Sequence, residues 1–494
     1  MTALPGDRPP TKPFRRGGSA AGDAPVGGAS LGGPDADVVS AEVRNSAAEH
    51  LAALIRCETV SLPGPSADSR SDSPPEDGTG QADQFRALRG LLPRLYPLVF
   101  GALEAQDVAG HALLLRWPGS HGTGRPVVLM AHLDVVPAPP EGWTHAPFSG
   151  HRADGFIWGR GALDDKGSAV AILEAVELLL AEGFAPSGDV YLSFGDNEET
   201  AGHSAAAAAA LLASRAVSPW LVLDEGGAVA SGAFPGVRRP AAVVGVAEKG
   251  ILDLQLRTTD PGGHASTPGR MGAPARLARA ILRLERHPFP QTLPAPVRDM
   301  LAAFAPHATW PLRPVLAHLR PLRWPLLKAF ARFGGETNAM TRTTVAITTL
   351  QGSPGANVLA ATATANANIR IMVGESVAGT LKRVRRIIRD PRVELTLVQG
   401  SEPSPVSPTD NEQFALLESV IGTVFPDAFT APYLMMGGTD SRRFTSIATA
   451  VCRFSPFRMS AADRASIHGV DEKISLDTLA EGIRFYRLLV RSLS

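Results

Sequence analysis

The chain reads as an α/β protein: helices around a mostly parallel central sheet, with a smaller α+β domain inserted. Three observations predict this. Short apolar runs such as VVLMAH (127–132) alternate with helix-periodic segments along much of the chain. Acidic residues collect where several of those runs end. After about residue 247 the texture shifts to longer stretches of period two, among them TRTTVAITTLQG and ATATANANIRIMVG, and then shifts back.

In order, residues 1–37 are rich in Gly, Pro and Ala and are predicted to be a disordered tail. They show no apolar core of a secretory signal. Residues 38–55 have helical periodicity, and 61–83 read as a polar loop. RPVVLMAHLD predicts a strand, GSAVAILEAVELLLAEG a helix stopped at Gly183, and DVYLSFGDNEE a strand ending in acids. SAAAAAALLASR follows as a helix and PWLVLDEGG as another strand ending in acids. The larger domain is therefore placed at 38–247 and 375–494, and the insertion at 248–374. Within the insertion, 288–334 is a helical extension rich in Pro, Trp and Arg. Its bases Arg313, Arg320, Arg323, Lys328 and Arg332 fit side chains lying over an apolar face. A sharper, secondary reading is a cover for an apolar substrate tail or a membrane-facing patch.

Composition narrows the function. Lys+Arg and Asp+Glu both number 48 in 494 residues, so no basic excess supports a nucleic-acid partner. Cys57 and Cys452 form neither a metal-type pair nor a disulfide framework and are expected as small core residues. No apolar run reaches the roughly 18–20 residues of a transmembrane segment. A cytoplasmic setting is the expectation. There is no GxSxG elbow and no HExxH helix, and GRGALDDKG lacks the third glycine of a dinucleotide loop.

The polar residues at the strand ends are His132 and Asp134, Asp164 and Asp165, Glu198 and Glu199, and Asp224 and Glu225, with His468 near the C-terminus. Singly, each has a plain explanation: a surface polar pair, a helix cap, a solvated glutamate. Gathered at the carboxyl edge of one sheet, where α/β proteins bind ligands, the carboxylates would repel one another unless cations neutralised them. Two imidazoles with several carboxylates is a ligand mix for zinc, or for cobalt or manganese. Two such ions, about 3.5–4 Å apart, would need a bridging carboxylate.

AHLDVVP, GRGALDDKG, DNEET, VLDEGG, GGHASTP, GGTDSR and IHG stand in the order found in the M20 metallopeptidases. The sequence resembles that family over roughly residues 40–490. AHLDVVPAPPEGWTHAPFSG, LDEGGAV and GVAEKG resemble its branch of carboxypeptidase S (Gly-Xaa carboxypeptidase) and N-acyl-amino-acid hydrolases. The resemblance implies a dizinc-exopeptidase-like catalytic domain and an inserted lid and dimerisation domain. It implies two zinc ions held by His132, Asp164, Glu199, Asp224 and His468, with Asp164 bridging and a cis bond to Asp165. Asp134 would orient His132, Glu198 would be the general base, and His264 would stabilise the oxyanion, in dimeric members from the neighbouring subunit. Arg370, Asn357, Gly437, Gly438 and Thr439 resemble positions that hold the substrate's free carboxylate. The family's Val-Ile-Pro after the asparagine is here NVLAATATANANIR, a departure at Asn357. The implied reaction is metal-assisted hydrolysis of an amide next to a free α-carboxylate, in a small peptide or an N-acyl amino acid. Alternatives are an M20 dipeptidase, a biosynthetic deacylase, and a non-catalytic protein that binds an amino-acid derivative.

Overall fold

The computed structural model describes residues 39–62, 78–121, 124–200, 202–232, 234–333 and 335–493. The expected tail 1–37 lies outside them, as does most of the polar loop. That loop is shorter than expected, because a helix already begins at Gly78 and runs to Leu95.

The apolar runs become neighbouring strands of one large sheet. Its order is Glu104–Val108, Ala112–Trp117, Val190–Gly195, Val127–His132, Leu221–Asp224, Val451–Arg453 and Ala241–Glu248, followed by the short Val229–Ala230 and Arg458–Met459. Val127–His132 runs parallel to both of its neighbours, and Phe429–Met435 runs parallel to Ala241–Glu248. Antiparallel pairs close one edge. The central strands are buried on both faces, which is why they read as continuous apolar runs rather than as alternation.

Helix Lys166–Ala181 is apolar nearly all round and is buried along most of its length. It packs on helix Leu476–Arg491, whose N-cap Ser475 accepts from the Thr478 amide. Val170, Ile172, Leu173, Val176 and Leu179 are fully buried there, each worth about 1.5–3 kcal/mol of transfer free energy. Cys452 is buried in the same core, and Cys57 packs against it half-buried.

The insertion is a four-stranded antiparallel sheet in the order Thr344–Gln351, Thr362–Ile371, Gly250–Thr259, Val393–Ser401. Helices Ala273–Arg286 and Val377–Ile388 pack with it through Leu277, Leu284, Val384 and Ile388. Two boundaries read from the sequence need correcting. The inserted sheet does not end at 374, because Val393–Ser401 pairs with Gly250–Thr259. The helical extension does not build on that sheet either. Its buried Val297, Leu301, Phe304, Leu316 and Phe330 form a core with Ala241, Phe429, Ala431 and Leu434 of the large sheet.

Candidate metal centre and substrate cavity

Strand register assembles the site. His132 ends its strand directly opposite Gly195, which brings the following Glu198–Glu199 turn beside it. A Cβ at Gly195 would stand 2.6 Å from a carboxylate oxygen of Asp440, so a side chain there would displace that carboxylate. His132 Nε2 lies 2.9 Å from Asp164 Oδ1, and His468 Nε2 lies 3.0 Å from Asp164 Oδ2 and 3.1 Å from Glu199 Oε1. Asp164 thus sits between two imidazoles. The ligand atoms of His132, Asp164 and Glu199 all lie within 4.8 Å of one another. The Asp164–Asp165 peptide is cis.

The chain does not continue as a strand through Asp134, so the two residues are not strand neighbours on one face. His132 Nδ1 instead lies 2.9 Å from the Asp134 carbonyl oxygen and 3.4 Å from its carboxylate. That carboxylate accepts from the Ser61 hydroxyl at 2.7 Å and from the amides of Glu198 and Glu199, each at 3.1 Å. It braces the imidazole and pins the Glu198–Glu199 turn at once.

Electrostatics marks the cluster as cation-seeking. Burial raises the Glu198 carboxyl well above its ordinary value, and the charges of Asp440, Glu199 and Asp164 add to this against the pull of His132. Burial, then Asp164, Asp165 and Glu198, does the same to Glu225. Hydrogen bonds to Asp164 and Glu199 raise the His468 imidazole to about 10. No lysine or arginine pairs with Asp164, Glu198, Glu199 or Glu225 among the described residues. Crowded carboxylates with two imidazoles and no protein cation are a donor set that fits a divalent metal.

Asp224 is not where the resemblance implies. Its carboxylate accepts from the Ser441 amide at 2.7 Å and the Glu225 amide at 3.0 Å, and it does not line the cavity. Glu225 lines the cavity in its place. His264 and Asn357 are likewise outside it. They sit on the small exposed ribbon of Gly263–His264 and Val358–Leu359, where the Ala265 amide donates to the Asn357 carbonyl. Sequence reasoning also missed Glu472. Buried and paired with Arg160 at 2.5 Å, it accepts from the amides of Leu163 at 2.8 Å and Asp164 at 3.1 Å, and so holds the backbone that carries Asp164. It lies four residues after His468 in no motif that would single it out.

The cavity of about 600 Å³ joins these groups to two further walls. One holds Arg370, Gly437, Gly438 and Thr439. The Thr439 hydroxyl is already committed to buried Glu248, at 2.7 Å. The other wall is apolar: Phe234, Met300, Phe304, Met340, Met435 and Met459. Arg442, which the sequence reading passed over, borders an adjoining recess together with Arg370.

A mostly parallel sheet with a histidine–carboxylate cluster at its strand ends defines a metal-dependent hydrolase class. Residues 128–492 match the peptidase family M20/M25/M40, and the chain belongs to that family. It is 35% identical over 454 residues to the N-fatty-acyl-amino acid synthase/hydrolase PM20D1 of Xenopus tropicalis, covering 91% of this chain and 86% of that one. It is 34% identical to the human PM20D1, covering 92% and 89%. A probable carboxypeptidase S-like 2 of Dictyostelium discoideum is 34% identical, covering 83% and 79%. The fold matches human carnosine dipeptidase 1 with a TM-score of 0.62 at 17% identity, covering 91% and 96%. It matches the M20 metallo-carboxypeptidase Sso-CP2 of Sulfolobus solfataricus with 0.63 at 16%, covering 92% and 99%. The protein is a metal-dependent hydrolase of amide bonds, in the carboxypeptidase S and N-acyl-amino-acid hydrolase branch.

Proposed function

We propose that the protein hydrolyses N-acyl amino acids carrying a long apolar acyl chain, with two zinc ions at the cluster. The observation that carries this is the cavity itself, which sets a guanidinium and a metal-binding cluster against a wall of Phe and Met side chains. A small peptide has no use for that wall, whereas an acyl chain would be desolvated along it. The names of the vertebrate relatives agree with this substrate class.

His132, Asp164, Glu199 and His468 would hold the ions, with Asp164 shared, and Glu225 rather than Asp224 would complete the set. Cobalt or manganese would substitute, given the same donors. Bound there, zinc polarises the amide carbonyl and acidifies a water. Arg370 binds the free carboxylate through paired N–H donors, which places the amide over the cluster. Glu198, whose carboxylate makes no hydrogen bond or ion pair among the described residues, takes the proton of the attacking water and returns it to the leaving amine. Phe and Met side chains exclude water from the acyl chain. His264 stands exposed and outside its own chain's cavity, so its oxyanion role requires a second copy, joined through the lid domain.

The test is an acyl-length series at a fixed amino acid, measured with the zinc-loaded protein. The rate constant kcat/KM should climb by about fourfold for each methylene buried, until the cavity is filled. Met300→Trp should lower that ceiling to shorter chains. A flat length dependence, with Gly-Xaa dipeptides preferred, would overturn the acyl reading.

A further inference from the structure

The helical extension has two unlike faces. Inward, Met300 and Phe304, four residues apart on helix Ala295–Phe304, line the apolar wall of the cavity. Outward, Trp310 is 84% exposed and Trp324 62% exposed, among the largest exposed apolar side chains of the described residues. In the same segment Arg313, Arg320, Arg323, Lys328 and Arg332 are all exposed. No Asp or Glu occurs from 300 to 335, and none of these five bases pairs with a carboxylate among the described residues. The Arg323 guanidinium lies 4.7 Å from the Trp324 ring, so cation and indole form one patch.

From this we propose that the outer face of residues 306–332 is a docking surface for an anionic phospholipid bilayer. Exposed tryptophans are costly in water and settle well at the headgroup level, where the ring meets acyl carbon and its N–H meets water. Unpaired bases beside them are drawn to an anionic leaflet. An acidic protein or a nucleic acid would satisfy the bases but would leave two separated indoles without an apolar phase to enter. The location supplies the purpose: a long-chain N-acyl amino acid partitions into membranes, and the segment packs, through Leu316, Leu326 and Phe330, in one core with Phe304, which lines the cavity that would receive its chain. That purpose rests on the acyl-chain reading, while the docking itself is tested independently of it. No helix of the described residues is long and apolar enough to cross a membrane, so the contact is peripheral.

The experiment is co-sedimentation of the full chain with phosphatidylcholine vesicles, with and without phosphatidylserine, across a salt series. Trp310→Ala/Trp324→Ala and Arg313→Gln/Arg320→Gln/Arg323→Gln variants run beside it. Binding should require phosphatidylserine and weaken with salt. It should fall by about fivefold for each base removed, and fall in the tryptophan variant as well. Hydrolysis of a soluble short-chain N-acyl amino acid should be unchanged in every variant, which shows that they fold. No vesicle binding by the wild type, or binding indifferent to both sets of changes, overturns the proposal. Retention on a soluble polyanion without vesicle binding overturns it as well and assigns the face to an acidic macromolecule. Vesicle binding without long-chain hydrolysis would leave the docking surface standing and remove the acyl-chain reading instead.

Discussion

The Asp134 carboxylate accepts the backbone amides of Glu198 and Glu199 at 3.1 Å each, while the same residue's carbonyl lies 2.9 Å from His132 Nδ1. One residue therefore ties the His132 imidazole, a proposed metal ligand, to the turn that carries the proposed base. Asp134→Asn would keep the shape but turn one acceptor oxygen into a donor facing an amide. Metal affinity or activity should drop about 10–100-fold, read by competition with a chelator and by turnover. Ser61→Ala, which removes only the outer hydroxyl, should do much less.

Glu225 and Asp224 separate by position. Glu225→Gln should lower the bound metal from two equivalents toward one, measured by elemental analysis after dialysis, with little change in thermal stability. Asp224→Asn should retain metal better and lose stability instead, because a buried acceptor of the Ser441 amide is disturbed at about 1–3 kcal/mol. The reverse pattern would return the ligand role to Asp224.

Two inactive proteins should rescue each other if His264 serves a neighbouring site. His264→Ala and Glu198→Gln chains, mixed under conditions that exchange subunits, should regain part of the wild-type rate, since a mixed pair holds one complete site. A mixture as inactive as its parts, from chains shown to exchange, would remove that role from His264.

Acid should weaken the ion pairs that hold the lid. Burial alone would raise the Asp390 carboxyl. The hydrogen bond from Arg279, the Arg392 amide and Arg276 prevail and hold it below its ordinary value. A carboxylate depressed in the folded state contributes stability above its unfolded pKa and loses it as pH falls through the folded value. Stability should therefore fall with pH below about 4. Asp390→Asn should remove that component and cost about 1 kcal/mol at neutral pH, kept modest because Arg279 is exposed to solvent. A pH profile of thermal unfolding, identical for wild type and variant, would contradict this.

How far the sequence could be read follows from the range of the forces involved. Strands such as Val127–His132 and Val190–Gly195 were legible because burial on both faces leaves an unbroken apolar run, and their polar ends stand out against it. Pairing partners distant in sequence were not legible. Val393–Ser401 alternates like many strands, and nothing local says that its partner begins at Gly250. Nor could adjacent acids be told apart: whether Asp224 or Glu225 faces the cavity depends on where the strand ends and on the Ser441 amide, which arrives from more than 200 residues away in the chain. His264 and Asn357 were found by resemblance to a motif, but a motif does not show that the ribbon carrying them stands outside the cavity.

The most direct measurement is release of free amino acid from an N-hexadecanoyl amino acid, compared with the same compound amidated at its carboxyl end. The zinc-loaded wild type and Glu198→Gln would be run in parallel. The account predicts turnover of the free acid alone, lowered by about 10²–10⁴-fold in the variant with its metal content unchanged. Equal hydrolysis of the amidated compound, or a variant as fast as wild type, would contradict it.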